Sequence, residues 1–233
     1  MSRLEERIEI ANPQHPHCAT VLLLDTSGSM TDYGKINQLN EGLRFFKDDV
    51  SKDELASKRV DLAIITFGGQ ANVIHDFSSV EEFEPPTLHS DGLTPMGEAI
   101  LMAIDLIEGR KQDYKSKGTD YYRPWIFMIT DGEPTDMRPE DPTWNKVIQR
   151  VHNGEENKSF LFFAVGVEPA DMELLKKIAP PNRPPVWLKQ GKFKEMFEWL
   201  SKSQAKVSAS KVGEQVNLEN PTGPQGWAEI STI

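Results

Sequence analysis

The chain has 233 residues, a formal net charge of −10 at pH 7 and a pI of about 5.1. This acidic excess argues against nucleic acid or an anionic membrane surface as a partner, because both attract lysine and arginine. The single cysteine, Cys18, excludes an intrachain disulfide, and no apolar run approaches the ~20 residues that a membrane-spanning helix needs. Residues 1–11 lack the apolar centre of a signal peptide, so we expect a cytoplasmic protein without membrane insertion.

This length suits a single α/β domain with a tail. We predict a lead-in over residues 1–18, one domain over residues 19–203 and a C-terminal tail over residues 204–233. The lead-in contains His15, His17 and Cys18, but no second Cys/His pair completes the four ligands of a structural zinc site. The tail has the composition of a frayed terminus. It also contains apolar residues suited to docking: Val207, Val212, Val216, Leu218 and Trp227.

The first predicted strand ends in a cluster of side-chain oxygens. Residues 21–24 form a short apolar run, which is typical of a strand buried on both faces of a parallel sheet. Asp25, Ser27 and Ser29 then follow at alternate positions, and Gly28 gives the backbone freedom to curl so that the three converge. Such oxygen ligands suit a hard cation, above all Mg²⁺. The same residues are also ordinary turn chemistry, so this stretch alone does not decide between the two interpretations.

A helix and a hairpin follow the first loop. Apolar residues recur at helical spacing over residues 35–49, which predicts an amphipathic helix facing the sheet. Residues 60–67 form the next strand, and two glycines permit a tight turn into residues 71–77. This hairpin would place an antiparallel strand at one edge of the sheet.

Thr94 precedes the clearest helical stripe in the chain. The apolar residues of this stripe are Met96, Ala99, Ile100, Ala103, Ile104 and Ile107. Pro95 suits the first helical turn and would put Thr94 near the N-cap. Capping and metal contact are both open for Thr94, and they are compatible because a cap lies at the positive end of the helix. The polar residues 109–122 are predicted to be a surface connection.

A second buried strand, over residues 125–130, also ends in a carboxylate and a glycine, Asp131 and Gly132.

The remaining predicted elements are a short helix from about 143, a strand over 160–165, a helix over 172–178, a last strand around 186–188 and a closing helix that begins at Phe193. Alternation of strands and helices predicts a doubly wound, Rossmann-like α/β fold: six mostly parallel strands, one antiparallel edge strand and helices on both faces. The carboxylates at the strand ends would then meet at one edge of the sheet, where ligands bind in such folds.

The stretches that contain Asp25 to Ser29, Thr94, and Asp131 with Gly132 together resemble the von Willebrand factor type A domain family. Its metal-ion-dependent adhesion site consists of an Asp-x-Ser-x-Ser loop, a threonine from a second loop and an aspartate from a third. The matching positions here are Asp25, Ser27, Ser29, Thr94 and Asp131. The resemblance implies bound Mg²⁺, which Mn²⁺ or Ca²⁺ replaces in vitro, and a partner protein that completes the ion with an Asp or Glu.

The end of the closing helix and the tail are similar to those of the bacterial TerY/YegL-like proteins, which are associated with tellurium resistance. This resemblance implies a role in a stress-response assembly, with another tellurium-resistance protein as a possible class of partner. It does not identify that partner.

An enzyme and a structural adaptor are the alternatives to a metal-dependent interaction domain. A strand-end aspartate is also the nucleophile of haloacid-dehalogenase-type phosphatases, but those need a second aspartate two residues on, where Ser27 stands. The sequence has no nucleotide-binding P-loop, no H-E-x-x-H and no G-x-S-x-G elbow, so we expect no enzyme. The second alternative is a structural adaptor in which the metal only stiffens the loops.

Overall fold

The computed structural model describes residues 10–230, and strands and helices alternate along most of this range. The strands are β1 Cys18–Asp25, β2 Val60–Gly68, β3 Gln70–Ser79, β4 Trp125–Thr130, β5 Leu161–Gly166, β6 Val186–Leu188 and β7 Ala228–Ile230. The helices are α1 Lys35–Val50, α2 Glu54–Arg59, α3 Met96–Lys117, α4 Pro142–Glu156, α5 Met172–Ile178 and α6 Phe193–Ala209. In the part of the chain so described, no helix is long and apolar enough to cross a membrane.

The strands form one sheet in the order β3-β2-β1-β4-β5-β6-β7. Strands β3 and β7 are antiparallel to their neighbours, and all other pairs are parallel. The predicted α/β fold is confirmed, as is the hairpin of β2 and β3. Strands β1 and β4 are neighbours, with Val21 opposite Ile126. Because the chain order reverses between these two strands, a crevice opens beyond their carboxyl ends, which is where ligands bind in open α/β sheets.

Each face of the sheet is covered by its own set of helices. Alternate residues of a strand point to opposite faces, and β1 divides its side chains accordingly. Leu22 and Leu24 join the core that includes Leu39 of α1 and Phe197 of α6. The opposite core combines Val21 and Leu23 with residues of α3, α4 and α5, namely Ile100, Val147 and Leu175. These faces hold β1 in the middle of the protein, so its final residue is fixed in position.

The sheet has seven strands where six were predicted, and two antiparallel edges where one was predicted. The added strand is β7, whose Ala228 pairs with Leu188. Beside it the buried Trp227 contacts Trp199 of α6, with ring centroids 5.7 Å apart. A three-residue strand is too short to show periodicity in a sequence, so only its pairing partner reveals it. The apolar residues Val216 and Leu218 also pack on the core, so the tail docks.

The surface connection predicted over residues 109–122 is wrong for its first half, because α3 continues to Lys117. The apolar stripe ends earlier, but the following residues bury polar side chains around Asp61 of β2. The Asp61 carboxylate accepts hydrogen bonds from Arg110 Nη2 at 2.7 Å and from the Tyr114 hydroxyl at 2.6 Å. His17 Nδ1 lies 3.0 Å from the other oxygen of Asp61. Partners this far apart in sequence leave no periodic signal.

Candidate metal centre

The first loop folds back on the carboxylate that ends β1. The backbone N–H of Ser27 donates to Asp25 Oδ1 at 2.8 Å, which curls the chain directly after the strand. The hydroxyls of Ser27 and Ser29 then lie 3.1 Å apart. Asp25 and Ser27 are buried, and Ser29 is half-buried. The three oxygen-bearing side chains predicted to converge in this loop therefore do so.

The third loop, after β4, is joined to the first by two hydrogen bonds. The Thr130 hydroxyl donates to Asp25 Oδ2 at 2.6 Å. The Ser29 hydroxyl donates to Asp131 Oδ1 at 2.7 Å. Adjacent parallel strands end side by side, so Asp25 and Asp131 reach the same crevice. Thr130 was not singled out in the sequence, because it reads as the last residue of an apolar strand.

The second loop brings Thr94 to the same place. Gly92 has a φ of 72°, and a Cβ there would lie 2.6 Å from Gly69 Cα, so only glycine lets this loop lie against the β2–β3 turn. A Cβ built on Gly132 would lie 3.3 Å from Thr94 Oγ1 and 3.7 Å from Asp25 Oδ2. The Thr94 hydroxyl and the Asp25 carboxylate thus face one point beside Gly132. The structure brings all five predicted site residues together.

The start of α3 corrects the predicted cap. The N-cap residue is Pro95, and no side chain of its own loop caps the helix. Instead Asp136 of the third loop accepts hydrogen bonds from the N–H groups of Gly97 at 3.1 Å and Glu98 at 2.7 Å. The backbone N–H of Thr94 donates to the Thr135 hydroxyl oxygen at 3.1 Å, and the N–H of Thr135 donates to the Thr94 carbonyl oxygen at 2.9 Å. Because Asp136 supplies the cap, the Thr94 hydroxyl is left for the crevice.

Lys35, the first residue of α1, is the functional candidate that sequence reasoning missed. Its ammonium donates to Asp131 Oδ2 and, at 3.3 Å, to the carbonyl oxygen of Glu168. The Lys35 side chain is 5% exposed and that of Asp131 is fully buried. One signal was available in the sequence: a lysine in the first helical turn opposes the helix dipole, so it needs a compensating partner.

The two carboxylates differ in their compensation. Among residues 10–230, Asp131 has Lys35 as partner, whereas Asp25 has only N–H and O–H donors. Burial raises the pKa of Asp25, hydrogen bonds from Ser27 and Thr130 oppose that rise, and the charge of Asp131 adds to it. Asp25 is therefore a buried carboxylate that a further cation would stabilise in its ionised form.

The donor set fits a hard cation rather than a soft one. It contains two carboxylates and three hydroxyls, which are the ligands of Mg²⁺, Ca²⁺ and Mn²⁺. Across residues 10–230 no group of three or more His, Cys, Asp or Glu side chains is arranged to hold a metal. His17 and Cys18 are engaged elsewhere, with His17 on Asp61 and the Cys18 thiol 3.9 Å from the Arg123 carbonyl oxygen.

Solved structures share this fold. A von Willebrand factor type A protein from Catenulispora acidiphila has a TM-score of 0.60 at 19% identity, over 84% of this chain and 44% of that one. The pilus adhesin SpaC of Lactobacillus rhamnosus GG has a TM-score of 0.64 at 12% identity, over 82% of this chain and 31% of that one. At these identities the likeness shows the fold alone. The chain spans less than half of either structure.

A curated relative matches part of the chain. Inter-alpha-trypsin inhibitor heavy chain H4 of Sus scrofa is 27% identical over an alignment of 162 residues, which covers 66% of this chain and 16% of that protein. The chain therefore spans only a small part of this relative. Residues 20–202 match the family description of the von Willebrand factor type A domain, from within β1 to within α6. This match covers more than half of the sequence, and the chain belongs to the von Willebrand factor type A domain family.

Proposed function

We propose that this protein is a binding module of the metal-ion-dependent adhesion type, not an enzyme. A Mg²⁺ ion would be held by Asp25, Ser27, Ser29, Thr94 and Asp131, and a partner protein would complete it with an Asp or Glu. The observation that carries the proposal is the convergence of these oxygens, from three separate loops, on the crevice where the strand order reverses. The ion would supply positive charge that attracts and orients the acidic side chain of the partner.

The charges of the centre support the need for an outside acid. Asp25 and Asp131 contribute two negative charges, and the buried Lys35 returns one positive charge. The centre alone is therefore a single charge negative, and a divalent cation would leave it a single charge positive. An acidic side chain from a partner would restore neutrality, whereas a neutral side chain would not. Buried uncompensated charge is unfavourable, so this balance favours an anionic ligand.

The wider role rests on the resemblance to TerY/YegL-like proteins. We propose that the partner is another protein of a cytoplasmic tellurium-resistance or stress-response assembly. The docked tail, which carries part of that resemblance, packs through Trp227 and Leu218 on the core beside α6.

Metal titration tests the centre directly. Binding of Mn²⁺, followed by electron paramagnetic resonance with Mg²⁺ as competitor, is expected for the wild type and lost in Asp25→Ala. Asp32→Asn is the matched control, because Asp32 is an exposed acid in the same loop that the proposal leaves unused. Equal Mn²⁺ binding in the wild type and Asp25→Ala would contradict the proposal.

Partner capture tests the second part of the proposal, in which the partner binds through the ion. A pull-down from native lysate in Mg²⁺ is expected to recover proteins that are lost when EDTA replaces the ion and when Asp25→Ala is the bait. Recovery of the same proteins in EDTA would indicate the structural adaptor instead, in which the metal only stiffens the loops.

A further inference from the structure

Three loops carry the proposed metal ligands, and two of them, the first and the second, expose large apolar side chains to solvent. Tyr33, four residues after Ser29, is 91% exposed, and Leu93, the residue before Thr94, is 66% exposed. Among residues 10–230 these are the two most exposed large apolar side chains. Single exposed apolar residues are ordinary on any surface. Tyr33 and Leu93 lie on adjoining loops of one candidate binding site, and this pair, called the apolar patch below, has a location that needs explanation.

Tyr33 is also held in a backbone conformation that does not suit it. Its φ is 53° and its ψ is 20°, in the left-handed region where glycine and asparagine are favoured. Gly34 beside it has a φ of 67°, so the chain turns sharply here. A tyrosine at this position gains no burial to offset its strain. Strained residues of this kind occur preferentially at ligand-binding sites.

The two loops are fastened to each other, so the apolar pair sits on one platform. The N–H of Gly28 donates to the Gly92 carbonyl oxygen at 3.0 Å. The hydroxyls of Thr31 and Ser90 lie 2.7 Å apart. A platform fixed before binding costs less conformational entropy when a partner docks.

The charges around the centre restrict what can dock there. The same three loops expose Asp32, Asp91 and Glu133. An acidic partner residue is repelled by them unless a cation lies at the centre, and a segment with several acids is repelled even then. The complementary segment has one acid for the ion and uncharged apolar neighbours for Tyr33 and Leu93.

We infer that the partner presents a single Glu or Asp flanked by bulky apolar side chains, and that Tyr33 and Leu93 form the apolar half of the docking surface. This inference rests on the proposed function, since the acid requires the ion. Tyrosine is among the residues that contribute most to interface energies. The metal provides the charge contact, and the apolar pair distinguishes one acidic segment from another.

Three synthetic peptides test the inference. The first has a central glutamate flanked by leucines, the second has serines in place of the leucines, and the third has glutamine in place of the glutamate. Their dissociation constants are measured by NMR titration of the labelled protein, saturated with Mg²⁺. The leucine peptide is expected to bind about tenfold more tightly than the serine peptide, the gain from burying a leucine-sized group, and the glutamine peptide is expected not to bind.

Two variants separate the patch from the ion. Tyr33→Asn relieves the left-handed strain, so the fold is retained, and Leu93→Ser removes the second apolar side chain. Each is expected to lose most of the preference for leucine over serine while keeping wild-type Mg²⁺ affinity. Val212→Ser is the control, an exposed apolar residue in the tail, and is expected to keep the full preference.

The outcomes distinguish the two claims. A wild type that binds Mg²⁺ and takes the leucine and serine peptides equally would overturn the inference and leave the proposed function standing. Absence of Mg²⁺ binding would overturn both. A dimer of the wild type that Tyr33→Asn abolishes, seen by sedimentation, would also overturn the inference, because a second copy of the chain would then cover the patch.

Discussion

Two buried aspartates on neighbouring strands occupy opposite ends of the sheet and opposite electrostatic environments. Asp61 lies near the amino end of β2, where His17, Arg110 and Tyr114 all contact its carboxylate. Asp25 ends β1 at the carboxyl edge, where its partners within the described part of the chain are N–H and O–H donors. Burial opposes ionisation of Asp61, but the hydrogen bond from His17 and the charge of Arg110 outweigh it and lower its pKa. Burial raises the pKa of Asp25.

The difference separates an acid that the protein itself compensates from a candidate binding acid. At Asp61 the protein itself supplies the positive charge, so the cluster needs nothing further and joins the lead-in, β2 and α3. At Asp25 the charge is left uncompensated, which costs stability and would favour a bound cation. A buried carboxylate short of positive charge is a candidate binding site for that reason. Substituting each aspartate in turn should therefore have opposite consequences.

The largest effect is expected for Asp61→Asn. The substitution removes the negative charge that balances buried Arg110, and breaking a buried ion pair from one side typically costs about 3–5 kcal/mol. Urea denaturation should show this loss in the free energy of unfolding. A loss below about 1 kcal/mol, the usual scale of an exposed ion pair, would contradict a structural role for the cluster.

The dependence of the unfolding free energy on pH should also change at low pH in the same variant. Because the folded-state pKa of Asp61 lies below its ordinary value of 3.8, its stabilisation is fully present above that value. It is lost as the pH falls through the folded-state pKa. The difference in unfolding free energy between the wild type and Asp61→Asn should therefore be constant near neutrality and shrink in strong acid. A difference that does not change down to pH ~2 would contradict this assignment.

A moderate effect is expected from Lys35→Met at the other end of the sheet. Removing the ammonium beside Asp131 makes the centre more negative, so Mg²⁺ should bind about tenfold more tightly. The acidic peptide should bind less well, because the loaded centre would no longer carry surplus positive charge. Lys111→Met is the matched control, since Lys111 is also buried but pairs with Glu108 of the same helix. Unchanged affinity for both ligands would remove Lys35 from the proposed charge balance.

The smallest effect on stability is expected from Asp25→Asn, the counterpart of the Asp61 substitution. Without metal, the amide removes a buried charge next to Asp131, so the free energy of unfolding should stay within about 1 kcal/mol of wild type or rise. Calorimetry and circular dichroism in EDTA measure this stability. The same variant is expected to lose Mg²⁺ binding. A destabilisation as large as that of Asp61→Asn would mean that the two aspartates do not differ in kind.

Much of the fold was predictable because its signals are local. The buried strands β1, β2 and β4 are short apolar runs, and α1 has a helical stripe, from which its observed first residue was predicted. The short helix α2, capped by Asp53, was not predicted, since six residues hold too few turns to show a stripe. Strand β7 and the second half of α3 were missed because their stabilising partners lie elsewhere in the chain.

The sequence by itself determined which loops carry the candidate oxygen ligands, because Asp25, Ser27 and Ser29 are neighbours and strand and turn signals are local. Only the tertiary structure decided how those ligands are supported. Lys35 meets Asp131 across 96 positions, and Asp136 caps a helix that begins 40 residues earlier. Such contacts depend on strand order and on the burial of side chains from distant elements, and no spacing within the sequence encodes either directly. The charge balance of the crevice is therefore a property of the fold.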